Sequence, residues 1–127
     1  LSFLSEIIKI TKPIKFYVQE KPTPRIIKEN INQIKDGIHI LIPDIVMPNE
    51  ALFYLRNKLI TNLDIITTIK NIGNTSKIED VFDKAVIYPN GWYIYGCGKP
   101  DDYTKYYKIS KIIKMYCNLP FCLNSNT

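Results

Sequence analysis

Two short segments carry the side chains that could do chemistry in this chain of 127 residues. The first contains Lys35, Gly37 and His39, and His39 is the chain's single histidine. If this segment is one extended strand, alternation places these three residues on one side and the intervening isoleucines on the core side. A cation, a gap that admits a bulky ligand and an imidazole then form a row that suits a triphosphate. The alternative is a partly buried structural histidine beside a solvated lysine.

The second segment contains Asp83 and Lys99. Asp83 precedes a predicted strand, and Lys99 follows Gly96, Cys97 and Gly98, whose flexibility could bring the ammonium group toward the same site. The alternative here is an aspartate that caps a turn and an ordinary loop lysine.

The first half of the chain predicts strands at 14–19 and 38–42, because β-branched and aromatic residues dominate both. Prolines 22 and 24 end the first strand, and Pro43 ends the second. Between them we predict a polar loop that extends to about Gln33.

Pro48 opens a predicted helix that runs through about Ile60, and a further helical stretch follows near 64–71. Gly73 and Asn74 interrupt the chain after it. Ser76 and Glu79 have the spacing of a capping box, which predicts a short helical turn that delivers Asp83 to the start of a strand.

The second half predicts an antiparallel hairpin from 85–88 and 92–95 around Pro89, Asn90 and Gly91, and a last strand at 106–116. Together these elements indicate an α+β fold, an antiparallel-rich curved sheet backed by one or two helices. We expect both polar segments to meet at its concave side.

Composition limits the class of protein. The length favours one domain over residues 1–127, and the net charge of +5 is compatible with a polyanionic partner without requiring one. Cys97, Cys117 and Cys122 are too few for a disulfide framework, which favours a reducing, intracellular compartment, and Cys117 with Cys122 makes only half of a zinc site. No apolar run is long enough to span a membrane.

Three stretches in order, "KDGIHILIPDI", "VFDKAVIYPNGWYIYGCGKP" and "YYKISKI", resemble the primase domain of the primase-helicases of nucleocytoplasmic large DNA viruses. These enzymes are a branch of the archaeo-eukaryotic primase superfamily. The resemblance implies part of a primase catalytic core, followed in the same chain by a helicase, that acts at a viral replication site in the host cytoplasm or nucleus. Nucleoside triphosphates and a single-stranded DNA template are the partners that it implies.

The resemblance also implies roles for individual residues. His39 matches the histidine of the second motif, which contacts the phosphates of the incoming nucleotide, and Gly37 stands where many relatives have serine. Lys35 and Lys99 match basic residues near the triphosphate. Asp83 matches the aspartate of the third motif, a ligand of Mg²⁺ or Mn²⁺ in two-metal nucleotidyl transfer.

The first motif of that superfamily, two acidic residues separated by one position, is missing upstream of His39. We therefore expect the chain to begin after it, and to be inactive or only weakly nucleotide-binding by itself, because one carboxylate cannot hold two magnesium ions against water. Two alternatives stay open. One is a non-catalytic module that stacks single-stranded nucleic acid on the 92–95 strand, and the other is a degenerate scaffold domain.

Overall fold

The structure is a computed structural model that describes residues 2–90, 92, 95–98, 100 and 106–116. The chain divides into two compact units. The helical unit consists of residues 1–9 and 46–92, and the sheet unit of residues 10–45 and 93–127. The sequence-based prediction of a single domain over the whole chain stays a prediction.

A three-stranded antiparallel sheet organises the sheet unit. Its strands are β1 (Ile14–Glu20), β4 (Ile38–Leu41) and β5 (Lys108–Met115), in the order β4-β1-β5. All three strands were predicted within two residues of these bounds, because each combines β-branched residues with a clear stop signal. The central strand β1 contributes the buried Ile14 to the core, where the side chain is 3% exposed.

A β-bulge in the pairing of β1 with β5 decides which side chains share a face. Val18 lies opposite Lys111, but the next residue, Gln19, lies opposite Ile109, so Ser110 is the extra residue. Lys108 and Lys111 therefore lie on the same face of the sheet although they are three residues apart. A regular strand would have placed them on opposite faces.

A second, two-stranded sheet replaces the predicted polar loop. Its strands are β2 (Arg25–Ile27) and β3 (Asn30–Lys35), joined by a two-residue turn. The loop prediction was wrong because it gave weight to the polar residues and overlooked the apolar pair Ile26 and Ile34, which lie directly opposite each other.

The described residues of the helical unit form the helices α1 (Ser2–Ile7), α2 (Asn49–Thr61), α3 (Leu63–Asn71) and α4 (Ile78–Val81). Pro48 is the N-cap of α2, as expected from its position before the apolar pattern. Asn62 caps α3, since its side chain accepts a hydrogen bond from the Ile65 amide at 3.0 Å. Gly73 follows the C-cap of α3 and has a positive φ of 84°, which glycine adopts without strain.

Glu6 links α1 to α2 through two polar contacts. Its carboxylate accepts a hydrogen bond from the Tyr54 hydroxyl at 3.2 Å and lies 3.6 Å from the Lys58 ammonium group. Hydrogen bonding between the side chains of Lys58 and Tyr54, together with the charge of Glu6, raises the pKa of Lys58 above its ordinary value of 10.5.

Two local predictions in this unit were wrong. Ser76 does not form a capping box, because Lys77 is the N-cap of α4 without a side-chain hydrogen bond, and the Ser76 amide instead bonds Asn74 at 2.8 Å. The predicted strand at 85–88 is a 3-10 turn over Lys84–Val86. Its intended partner at 92–95 lies partly outside the described residues.

These elements confirm the α+β class, with antiparallel sheets and separate helices. Within the described part of the chain, none of the helices combines the length and the apolar character needed to cross a membrane.

Candidate nucleotide-binding site

His39 lies on β4 beside two largely buried residues. Its backbone pairs with Gln19, whose side chain is 3% exposed. Its imidazole stacks on the ring of Tyr107, with centroids 4.2 Å apart and planes 14° from parallel. Near-parallel aromatic contacts of this kind restrict ring orientation as well as burying area. The imidazole is thus held half-buried in a defined plane.

Tyr107 connects His39 to other parts of the sheet unit. Its side chain is only 9% exposed. Its backbone carbonyl accepts a hydrogen bond from the Gly96 amide at 2.8 Å, and its own amide donates to the Cys97 carbonyl at 3.0 Å. The Lys21 ammonium group lies over the same ring, 5.4 Å from its centroid. A cation and an imidazole therefore share one aromatic neighbour.

Lys21 is a candidate site residue that the sequence analysis missed. It follows β1 immediately, within the stop signal that precedes the prolines. Its position two residues after Gln19, just beyond the strand that pairs with β4, becomes a usable signal only when that pairing is known.

The predicted row of Lys35, Gly37 and His39 on one strand is not formed. Lys35 is the last residue of β3, and the strand breaks at Asp36, whose side chain accepts a hydrogen bond from the Gly37 amide at 2.9 Å. A Cβ atom at Gly37 would meet nothing within 4 Å, so glycine is not required there by crowding. The roles of Lys35 and Gly37 in nucleotide binding stay predictions.

The prediction that the isoleucines of β4 anchor it in a core was wrong. Ile38 and Ile40 are 52% and 44% exposed. The other side of β4 carries His39, which is half-buried beside the buried Gln19. Burial here follows the aromatic ring of Tyr107, which β4 meets only in the tertiary structure.

Asp83 begins the 3-10 turn in the helical unit. Its Oδ1 accepts a hydrogen bond from the Ala85 amide at 2.9 Å, so the capping interaction that the sequence offered as an alternative is present. The residue is exposed to solvent. The 3-10 turn stands where the predicted strand after Asp83 was expected, because the capped aspartate starts a turn.

Asp83 lines a cleft of about 360 Å³ in the helical unit, whose other lining residues are Arg56, Glu79, Asp80 and Lys84. Arg56 organises this cleft. Its Nε donates to the Phe82 carbonyl at 2.5 Å and its Nη2 to the Glu79 carbonyl at 2.9 Å. The arginine thus holds the end of α4 and the segment leading to Asp83. The sequence analysis missed Arg56, although an arginine among the leucines of the helix after Pro48 is a signal.

The described residues do not supply a metal site. None of their histidine, cysteine and carboxylate side chains form a group of three or more that could hold an ion. Asp83 by itself does not fit a divalent cation, which requires several oxygen ligands. Its metal-binding role stays a prediction.

His39 belongs to the sheet unit and Asp83 to the helical unit. The structure brings His39 together with Tyr107, and Asp83 together with Arg56. Convergence of the two predicted catalytic residues on one hollow stays a prediction. Lys99, Cys117 and Cys122 lie outside the described residues.

Comparison with known families identifies the class. Residues 1–113 match the model of the C962R protein N-terminal AEP domain, where AEP denotes the archaeo-eukaryotic primases. The chain therefore belongs to this family, and the resemblance found in its motifs is confirmed.

A relative is found in Acanthamoeba polyphaga mimivirus, a protein named "Putative helicase L207/L206". The two sequences are 34% identical over 91 residues, which is 72% of this chain and 9% of the mimivirus protein. The chain thus spans about a tenth of that relative's length. No solved structure matches the chain.

Proposed function

We propose that this chain is the nucleoside-triphosphate-binding part of a DNA primase domain in a viral replicative primase-helicase. Membership of the AEP family supports the primase assignment. The name of the mimivirus relative supports a helicase in the same longer protein. The observation that carries the proposal is the stacked imidazole of His39, with the Lys21 ammonium group over the same ring.

In this proposal His39 and Lys21 act on the triphosphate of the incoming nucleotide. A primer 3′-oxygen forms a bond to the α-phosphorus, and the bond to pyrophosphate breaks. Negative charge on the phosphate oxygens is met by a positioned imidazole and a cation, which stabilise it by electrostatics and orientation. Lys35 and Lys99 are proposed to neutralise further phosphate oxygens.

In this proposal, catalysis by the longer protein requires Mg²⁺ or Mn²⁺. Among the described residues, Asp83 belongs to no group of three or more potential ligands, so the proposal requires further carboxylates beside it. The isolated chain is accordingly proposed to bind triphosphate weakly and to make no primers on single-stranded DNA.

The test is calorimetric titration of ATP into the chain and into His39→Ala. A hydrogen bond to a charged phosphate is worth about 1.5–3 kcal/mol, so its removal should lower the affinity roughly ten- to a hundredfold. Lys21→Met should also weaken binding, whereas Lys58→Met, which changes a lysine of the helical unit, is the matched control. Unchanged affinity in His39→Ala would contradict the proposal.

A second candidate function is binding of single-stranded nucleic acid without catalysis, and the bulge in β5 favours it. Lys108 and Lys111 share a face with the exposed Ile38 and Ile40, and this face is opposite the one that carries His39. The Lys108 ammonium group also lies 5.1 Å from the centroid of the Tyr106 ring. Cations interleaved with exposed apolar and aromatic groups are typical of surfaces that follow a nucleic-acid backbone.

The stacking surface predicted at 92–95 is described at its two end residues. The Trp92 side chain is 42% exposed and donates from Nε1 to the Val86 carbonyl at 2.6 Å. The Tyr95 side chain is exposed as well. Tyr93 and Ile94 lie outside the described residues, so stacking on this segment stays a prediction.

Salt dependence of oligo(dT) binding separates the candidates. Removing one lysine that binds a phosphate should reduce the slope of log affinity against log salt by about 0.7. We expect this reduction for Lys108→Gln and Lys111→Gln, but not for Lys114→Gln, whose side chain lies on the other face. Such oligo(dT) binding in a chain that shows no binding of ATP would favour the non-catalytic candidate over the primase.

A further inference from the structure

We infer that Tyr107 is the positioning residue of His39. This inference rests on the proposed function, in which His39 contacts phosphate. The two rings are nearly parallel, with centroids 4.2 Å apart. An imidazole on a strand can rotate about two side-chain bonds, and a flat neighbour at van der Waals distance removes most of that freedom.

Tyr107 is itself held firmly. Its side chain is 9% exposed, and its backbone makes two hydrogen bonds to Gly96 and Cys97, at 2.8 and 3.0 Å. It also lies immediately before β5, which pairs with β1 along seven residues. A stacking partner can orient another ring only if it is more constrained than that ring, and Tyr107 meets this condition.

Tyr107 also contacts a positive charge. The Lys21 ammonium group lies 5.4 Å from the centroid of the tyrosine ring. One aromatic side chain thereby organises both groups that the proposed function assigns to the triphosphate. Its neighbour Tyr106 is different, since its side chain is 39% exposed and its ring contacts Lys108 on β5.

Proton NMR tests this inference directly, because His39 is the single histidine and its ring signals are unambiguous. In the unmodified 127-residue chain we expect nuclear Overhauser contacts between the His39 and Tyr107 rings and an upfield ring-current shift of the imidazole signals. Absence of both would overturn the inference without any substitution, so the test holds even if a variant fails to fold.

Substitutions connect the stacking contact to binding. Tyr107→Phe should preserve the imidazole shift and ATP affinity. Tyr107→Leu should abolish the shift and weaken ATP binding roughly two- to tenfold, the range expected when one aromatic pair is removed. Tyr106→Leu, the matched control, should change neither quantity.

A double-mutant cycle separates positioning from general damage. In a His39→Ala background, Tyr107→Leu should cause a smaller decrease in ATP affinity than in the unmodified chain, because only the contact with Lys21 is then lost. An equal decrease with and without His39 would overturn the inference. If His39→Ala itself leaves ATP binding unchanged, the proposed function fails, while the imidazole shift still decides whether Tyr107 orients the ring.

Discussion

At the scale of single residues, His39 and Asp83 are held by different kinds of contact. His39 is oriented by a ring stacked on it from elsewhere in the sheet unit. Asp83 is oriented by its own local backbone, through the Ala85 amide. The stacked ring fixes the plane of the imidazole. The cap instead commits one carboxylate oxygen of Asp83 to the Ala85 amide. Substitutions at Asp83 must therefore distinguish capping from chemistry.

Asp83→Asn keeps an oxygen acceptor for the Ala85 amide, whereas Asp83→Ala removes it. We expect Asp83→Ala to lower the free energy of unfolding by about 1 kcal/mol and Asp83→Asn to change it much less. Urea unfolding followed by Trp92 fluorescence measures this. In the longer protein, both variants should abolish primer synthesis if Asp83 is a metal ligand. Full activity of Asp83→Asn would contradict that role.

At the scale of elements, one side chain from α2 organises the end of α4. Arg56 donates to the carbonyls of Glu79 and Phe82, which lie where a helix leaves acceptors without partners. A positive charge at this end also complements the helix dipole. The segment that carries Asp83 therefore depends on a residue from a different helix, far earlier in the chain.

Arg56→Met should lower the free energy of unfolding by roughly 1–3 kcal/mol, because it removes two hydrogen bonds from a charged donor. Lys84→Met, at another cation of the same cleft, should change it by less than about 0.5 kcal/mol. Chemical denaturation measures both variants. Equal effects of the two substitutions would show that stability depends on the overall charge of the cleft. They would contradict a specific role for the two hydrogen bonds from Arg56 to the end of α4.

The contact between α1 and α2 should depend on pH at the alkaline end. The pKa of Lys58 is raised in the folded state, so its contribution to stability is fully present below pH 10.5 and disappears as the pH rises through the folded-state pKa. The effect should be small, since the group is exposed. Glu6→Gln should bring the pKa of Lys58 closer to its ordinary value, measurable by NMR titration. If the pKa of Lys58 is unchanged in Glu6→Gln, the contact with Tyr54, and not Glu6, raises it.

At the scale of the whole molecule, the two faces of the three-stranded sheet carry different candidate binding residues. One carries His39 and Gln19, and the other carries Lys108 and Lys111. A nucleotide and a nucleic-acid strand bound as proposed would therefore occupy opposite faces of the same three strands. They should not compete for a site.

We expect ATP at saturating concentration to leave the affinity for oligo(dT) unchanged, because the proposed surfaces do not overlap. Fluorescence anisotropy of labelled oligo(dT), with and without ATP, measures this. Lys111→Gln should weaken oligo(dT) binding while sparing ATP binding, and His39→Ala should do the reverse. Mutual displacement of the two ligands would place both on one face and contradict the assignment.

Local sequence was sufficient for much of the fold and for the family. Strand β1 with its proline stop, helix α2 after Pro48 and the break at Gly73 were all predicted, because each depends on residues within one or two turns of the chain. The ordered motifs around His39 and Asp83 pointed to the archaeo-eukaryotic primases, which the family match confirmed.

Tertiary pairing decided what those motifs could not. The stacking partner of His39 and the hydrogen bonds from Arg56 to α4 both join residues that are distant in sequence. Lys108 and Lys111 share a face because β5 contains one extra residue. A periodic pattern assigns faces by counting positions, and one bulge changes that count for every residue beyond it. Stacking likewise depends on which strands become neighbours, which only the folded chain determines.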